Sequence, residues 1–225
     1  MGSAIGQLLP IAIGIAISPL PIVAVVLMLA TPRGRVNGPA FVLAWIVGLA
    51  VVTGIVVALA GDDATSDSGA PADWVNWLKL ILGLGLIGVG AKQWKSRPHG
   101  DEIGELPKWM KALDDFEWPK ALGAGVVLSA LNPKNLLLAI AGGAVIAQAG
   151  ISSDQEIGAV AIFVLIGTIG VAAPVVVYFA MGERSGAILE SLREWMARNN
   201  ATIMAVLLLV IGMKLIGDAI TGFSA

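Results

Sequence analysis

The 225-residue sequence contains no cysteine. That excludes disulfides, thiolate metal sites and thiol-based redox carriers. There is one histidine, His99, in a charged stretch. Metal sites need several convergent donors, so a solvated loop residue is the plain reading of it. Charge is scarce throughout: 13% of residues are Asp, Glu, Lys or Arg, against about 25% in soluble domains. Inside the long apolar runs the one acidic residue is Asp218. Divalent-cation exporters need several acidic or His ligands in their spans, which argues against a metal substrate. No Gly-Lys-Ser/Thr phosphate loop is present, so ATP hydrolysis by this chain is not expected. No Ser/His/Asp set can be assembled among the apolar runs. The expectation is a non-enzymatic protein with no metal, no cofactor and no nucleic-acid partner.

What the sequence does hold is apolar length. Its composition is 57% hydrophobic, with a mean hydropathy of +0.86. This is the composition of an integral membrane protein. A membrane-spanning helix needs about 20 apolar residues, and six stretches qualify: roughly 4–30, 38–60, 74–93, 120–147, 157–181 and 200–221. The runs are continuous rather than alternating, which excludes a transmembrane β-barrel. The first run is uncharged from Met1 to Pro32 and too long for a secretory signal, so it reads as a retained first span.

Orientation follows from Lys and Arg. Arg33 and Arg35 follow span 1; Lys95, Arg97, Lys108 and Lys111 follow span 3; Arg184, Arg193 and Arg198 follow span 5. The loops after spans 2 and 4 carry acids instead, Asp62, Asp63, Asp67 and Asp73 in one and Asp154 and Glu156 in the other. The alternation predicts cytoplasmic basic loops and both termini outside. Trp74, Trp77, Trp94 and Trp118 fall at span ends as interfacial anchors. Segments 105–118 and 183–198 are amphipathic at helical spacing and are expected to lie along the inner leaflet.

Two spans carry a proline where a continuous helix is expected. Span 1 holds Ser18-Pro19-Leu20-Pro21, and span 4 holds Leu131-Asn132-Pro133-Lys134-Asn135. Proline removes an amide donor and clashes with the carbonyl four residues back. In lipid the freed groups are tolerated only where protein or a water-lined cavity satisfies them. Spans 1–3 begin outside and spans 4–6 inside, so the two breaks predict an inverted repeat. The Gly90-Ala91-Lys92 end of span 3 also aligns with Gly212-Met213-Lys214 of span 6. The expected fold is an all-α membrane protein of six transmembrane helices in two inverted three-helix repeats. Residues 1–94 and 120–225 form the halves, 95–119 is a cytoplasmic linker, and spans 1 and 4 are broken near mid-membrane.

A half-helix starting at Pro19 or Pro133 presents unpaired amides and a positive dipole end, which bind anions. Ser18 adds a hydroxyl, Asn132 and Asn135 add amides, and Lys134 adds a full charge. The predicted site is therefore Ser18, Pro19, Pro21, Asn132, Pro133, Lys134 and Asn135, with an anionic ligand. The plain alternative is a pair of proline kinks relieved by neighbours. Lys92, Lys214 and Asp218 are gate or coupling candidates, because ionisable groups inside spans are costly. Lys214 and Asp218 also read as a self-neutralised pair. Lys79 and Lys92 sit near span ends, where a lysine can snorkel to the interface. Small residues such as Ala44, Gly48, Gly83, Gly90, Gly142 and Gly143 read as close helix packing or a dimer face.

Six spans, Ser-Pro-Leu-Pro in the first and Asn-Pro-Lys in the fourth resemble the lysine-exporter superfamily of small transporters. Amino-acid exporters of that group carry Pro-Gly-Pro where this chain has Pro19-Leu20-Pro21. The wider context, Ser18 through Leu29, the Thr31-Pro-Arg-Gly-Arg turn and Leu131 through Leu138, is more similar to an actinobacterial branch. That branch comprises the GAP-family and sulfolipid- or glycopeptidolipid-addressing proteins. The resemblance implies an exporter, flippase-like in action, of an anionic lipid or glycolipid across a bacterial cell membrane. It implies a homodimer as well. Two further readings stay open: an exporter of amino acids or other small polar metabolites, and a non-transporting accessory subunit of a larger lipid-export machine.

Overall fold

The computed structural model describes residues 1–60, 73–95, 97 and 117–224. His99, the acidic loop 61–72 and residues 105–116 of the first amphipathic segment lie outside the described residues, as does most of the 95–119 linker. Among the described residues the chain is helical, without a β-strand. Helix α1 is Gly2–Ala16, α2 Pro19–Leu29, α3 Gly34–Ala60 and α4 Asp73–Lys95. Helix α5 is Trp118–Val126 and continues into a π-helical turn, Val127–Leu131; α6 is Pro133–Ala147. Helix α7 is Ser153–Met181 and, after the short 3-10 turn Gly182–Arg184, α8 runs Ser185–Phe223.

Three runs are long and apolar enough to cross a membrane, Gly34–Ala60, Trp74–Lys95 and Ser153–Phe223; five are, if each bent pair counts as one span. The bent pairs are α1 with α2, at 49°, and α5 and its π-turn with α6, at 60°. Both bends fall where the prolines predict them. Pro19 and Pro133 each sit in the first turn of the helix they open, where a missing amide costs no hydrogen bond.

The run Ser153–Phe223 holds two helices because Gly182 interrupts it at φ +55°, a conformation that glycine adopts without strain. Beyond that turn the structure differs from the expected surface-lying segment 183–198, which continues directly into α8. No proline interrupts this stretch, and Glu190–Arg193 and Glu194–Arg198 pair along the helix surface. Its apolar residues divide accordingly: Leu189 and Met196 pack inward, while Ile188 and Trp195 stay exposed.

The core is built from Ile11, Ile15, Met28, Phe41, Trp45, Leu138 and Phe163, all fully buried. Trp45 stacks on Phe41 with centroids 6.2 Å apart, and its indole N–H donates to the Gly167 carbonyl at 3.3 Å. The outer surface is apolar as well. On α3, Leu43, Val47, Val51, Ile55 and Leu59 recur every four residues and are all exposed. A soluble protein rarely shows such a stripe; facing lipid, it costs nothing.

Glycines set the helix spacing. Gly48 lies against Ser129, Gly125 against the Phe41 carbonyl, and Gly142 against the Phe163 ring. Gly83 and Gly212 bring the backbones of α4 and α8 together. These positions serve packing within one chain. Gly85 and Gly88 have no described atom within 4 Å of where a side chain would begin.

Candidate functional site

The two breaks meet. Ser18, the residue before Pro19, is an N-cap whose hydroxyl does not cap its own helix. It donates instead to the Asn135 side-chain oxygen at 3.0 Å and accepts from the Lys134 ammonium. Asn135 in turn donates through its amide nitrogen to the Leu128 carbonyl at 2.8 Å. That carbonyl belongs to the π-turn, where regular helical bonding is disturbed by the proline that follows. Asn132 caps α6 by accepting from the Lys134 backbone amide at 3.1 Å. Asn132 and Asn135 thus satisfy backbone groups at the break, while Ser18 ties the Lys134 and Asn135 side chains of the second break to the first.

The junction is deeply placed: Ser18 is 2% exposed, Lys134 6% and Asn135 0%. A cavity of about 240 Å³ opens beside it. Ser18, Pro19, Pro21, Asn132, Pro133 and Lys134 all line this cavity, as does Leu20. Of the seven predicted site residues only Asn135 is withheld from the lining; it is the support behind Ser18.

Four lining residues come from elsewhere: Val89 and Gln93 on α4, and Asn200 and Met204 on α8. Sequence reasoning missed them. Gln93 lies beside Trp94 and Lys95 at a span end, and Asn200 follows Asn199 at the start of one. Amides at such positions read as interfacial, and only the packing of α8 on α2 and α4 turns them towards the break.

The gate candidates are not part of this site. Lys92 is exposed. Lys214 and Asp218 form a 2.6 Å ion pair, half-buried on α8. Ten and fourteen residues beyond Met204, they stand about 15 and 21 Å further along the helix axis. There they keep company with Lys79, which is 6% exposed and subject to the charges of Asp218 and Lys214. Snorkelling was the expectation for Lys79, but the close α4–α8 contact encloses it instead. Asn76, one turn earlier on the same face of α4, is fully buried against Gly222.

Chemically, the cavity offers one cation (Lys134), one hydroxyl (Ser18) and three amides (Gln93, Asn132 and Asn200) on an otherwise apolar wall. No cluster of three or more His, Cys, Asp or Glu that could hold a metal occurs among the described residues. The donor set suits an anion.

The model of the family described as "Sap, sulfolipid-1-addressing protein" matches residues 8–221. Neither the curated proteins nor the solved structures gave a match.

Proposed function

The chain belongs to the sulfolipid-1-addressing protein family, and from that premise we propose that it is an exporter of an anionic lipid or glycolipid, flippase-like in action, in a bacterial cell membrane. The observation that carries the proposal is the Ser18–Lys134–Asn135 junction, where two broken helices meet beside a cavity that holds the one lysine of the breaks. An anionic headgroup entering there replaces the Ser18 hydroxyl as the partner of the ammonium. It gains a charge-assisted hydrogen bond and frees Ser18. Binding and release of the headgroup therefore act on the contact that joins the two breaks.

In this reading the chain crosses the membrane six times, with α7 and α8 as separate spans and both termini outside. It is built as an inverted repeat in which α1–α4 correspond to α5–α8. The packing supports this. Helix α4 lies along α8; α3 packs on α5 as α7 packs on α1; and α4 meets α6 as α8 meets α2. The aligned Gly-x-Lys ends agree in detail: Gly90 packs on Leu208 and Ala205, and its counterpart Gly212 on Ile87 and Gly83. Repeats of this kind rock about a central site, exposing it to each side in turn. The reading is of a carrier, with no chemical step.

Reconstitution tests it. Purified protein in liposomes is expected to move a fluorescent anionic lipid between leaflets faster than protein-free liposomes, and Lys134→Ala is expected to abolish the difference. Amino-acid flux without lipid movement would replace this reading with a small-metabolite exporter. Activity that appears only with a co-purified partner would replace it with an accessory subunit.

A further inference from the structure

A second cavity lies on the other side of the α1–α2 break. It measures about 250 Å³ and is lined by Ile17 and Ile22 at the break, Ile169 and Ala173 on α7, and Leu192 and Met196 on α8. Among the described residues no charged or polar side chain lines it. Gly170 makes it possible, since any side chain there would run into the carbonyl of Ala16, the last residue of α1. Helix α7 can therefore lie directly against the break.

The two cavities are consecutive along one wall. Leu192 and Met196 line the apolar groove, and Asn200 and Met204 line the polar cavity. Residues four apart share a helix face, so all four project from a single stripe of α8, about 6 Å apart in rise. The first turn of α2 forms the opposite wall. Pro19, Leu20 and Pro21 face the polar cavity, and Ile22 faces the groove. A polar pocket holding a lysine is thus joined, by shared elements on both sides, to a groove that offers only hydrocarbon.

We propose that the groove is an acyl-chain subsite, so that one amphiphile lies across the break with its anionic headgroup at Lys134 and a hydrocarbon chain between α2, α7 and α8. This rests on the exporter reading and adds to it where the tail goes. The occupant is a chain rather than a partner helix, because a helix about 10–12 Å across does not fit a groove of this volume. Moving a chain from lipid into an apolar groove gains little, since the two environments are alike. The groove therefore sets position, the headgroup supplies affinity, and selective occupancy of the groove depends on Lys134.

Photolabelling in nanodiscs tests this, using phosphatidic acid and phosphatidylcholine that each carry a diazirine in one acyl chain. Labelled positions are mapped by mass spectrometry, and retained lipid is counted by native mass spectrometry. The expected result is phosphatidic-acid labelling concentrated on the groove faces of α7 and α8. Ala173→Trp and Ile169→Trp, which fill the groove from exposed positions, should lower it several-fold. Lys134→Met should lower both labelling and retention. Val47→Trp, on the exposed stripe of α3, should leave both unchanged. Lys134-dependent retention, with labelling no higher in the groove than on the α3 stripe, would overturn the subsite and leave the headgroup reading standing. Equal retention of both lipids, insensitive to Lys134→Met, would overturn the headgroup reading itself.

Discussion

Ser18 and Asn135, 117 residues apart, share a buried hydrogen bond of 3.0 Å. Each stands at a proline break, and the bond is made by groups that would ordinarily serve their own helices. The breaks are consequently one structural unit: neither can open without disturbing the other.

Ser18→Ala tests that unity. The substitution leaves the Asn135 oxygen and the Lys134 ammonium without their partner in a buried place. An orphaned buried polar group costs about 1–3 kcal/mol. Thermal unfolding in detergent should show a loss of that order, with Ser18→Thr recovering part of it.

Lys134→Met separates stability from function. Methionine has similar length and no charge, and replacing a buried charge with an apolar side chain is often neutral or stabilising. Thermal stability should hold or rise. Affinity for an anionic lipid should fall by the worth of a hydrogen bond to a charged group, about 1.5–3 kcal/mol, or roughly ten- to a hundred-fold. A binding titration in nanodiscs reads both the wild type and the variant.

Two glycine substitutions should have opposite signs. Gly170→Ala drives a methyl group into the Ala16 backbone carbonyl, and overpacking of this kind costs about 1–3 kcal/mol. Gly85→Ala meets no described atom and should stabilise its helix by about 0.5–1 kcal/mol. Unfolding midpoints measured in one detergent compare the pair directly.

The charged group on α4 and α8 should respond asymmetrically. Asp218→Asn leaves Lys79 and Lys214 facing each other without a carboxylate. Lys214→Met leaves Asp218 with Lys79 still nearby. Asp218→Asn is therefore expected to lower the unfolding midpoint more than Lys214→Met does. Adding Lys79→Met should restore part of the loss.

Asn76→Leu should not destabilise. Both side-chain polar atoms of Asn76 are buried and without a hydrogen-bond partner among the described residues. An apolar side chain of similar size removes that penalty, worth up to about 1–3 kcal/mol. A clear loss of midpoint would show that the amide has a role which the packing against Gly222 does not reveal.

Much of the centre was legible from local chemistry. Proline acts on its own helix, so Pro19 and Pro133 could be located, and Ser18, Asn132 and Lys134 identified, without any tertiary information. The lysine-free acidic loops likewise needed only counting. Gln93 and Asn200 were not legible, because nothing local distinguishes an amide facing a cavity from one facing the interface. Lys79 misled for the same reason: whether a lysine near a span end snorkels or is enclosed depends on the neighbouring helix. The continuity of α8 was missed because a change from amphipathic to apolar pattern marks a change of surroundings, and a helix can cross it unbroken.

By itself the sequence determined that the chain is helical and membrane-bound, and that two of its helices break, because those outcomes follow from apolar length and from the covalent geometry of proline. Only the tertiary structure decided that the breaks touch, that Ser18 joins them, and that polar and apolar cavities flank the first break along one face of α8. These are long-range facts: they depend on which helices the small residues allow to approach, and no local pattern encodes a distance between residues more than a hundred positions apart.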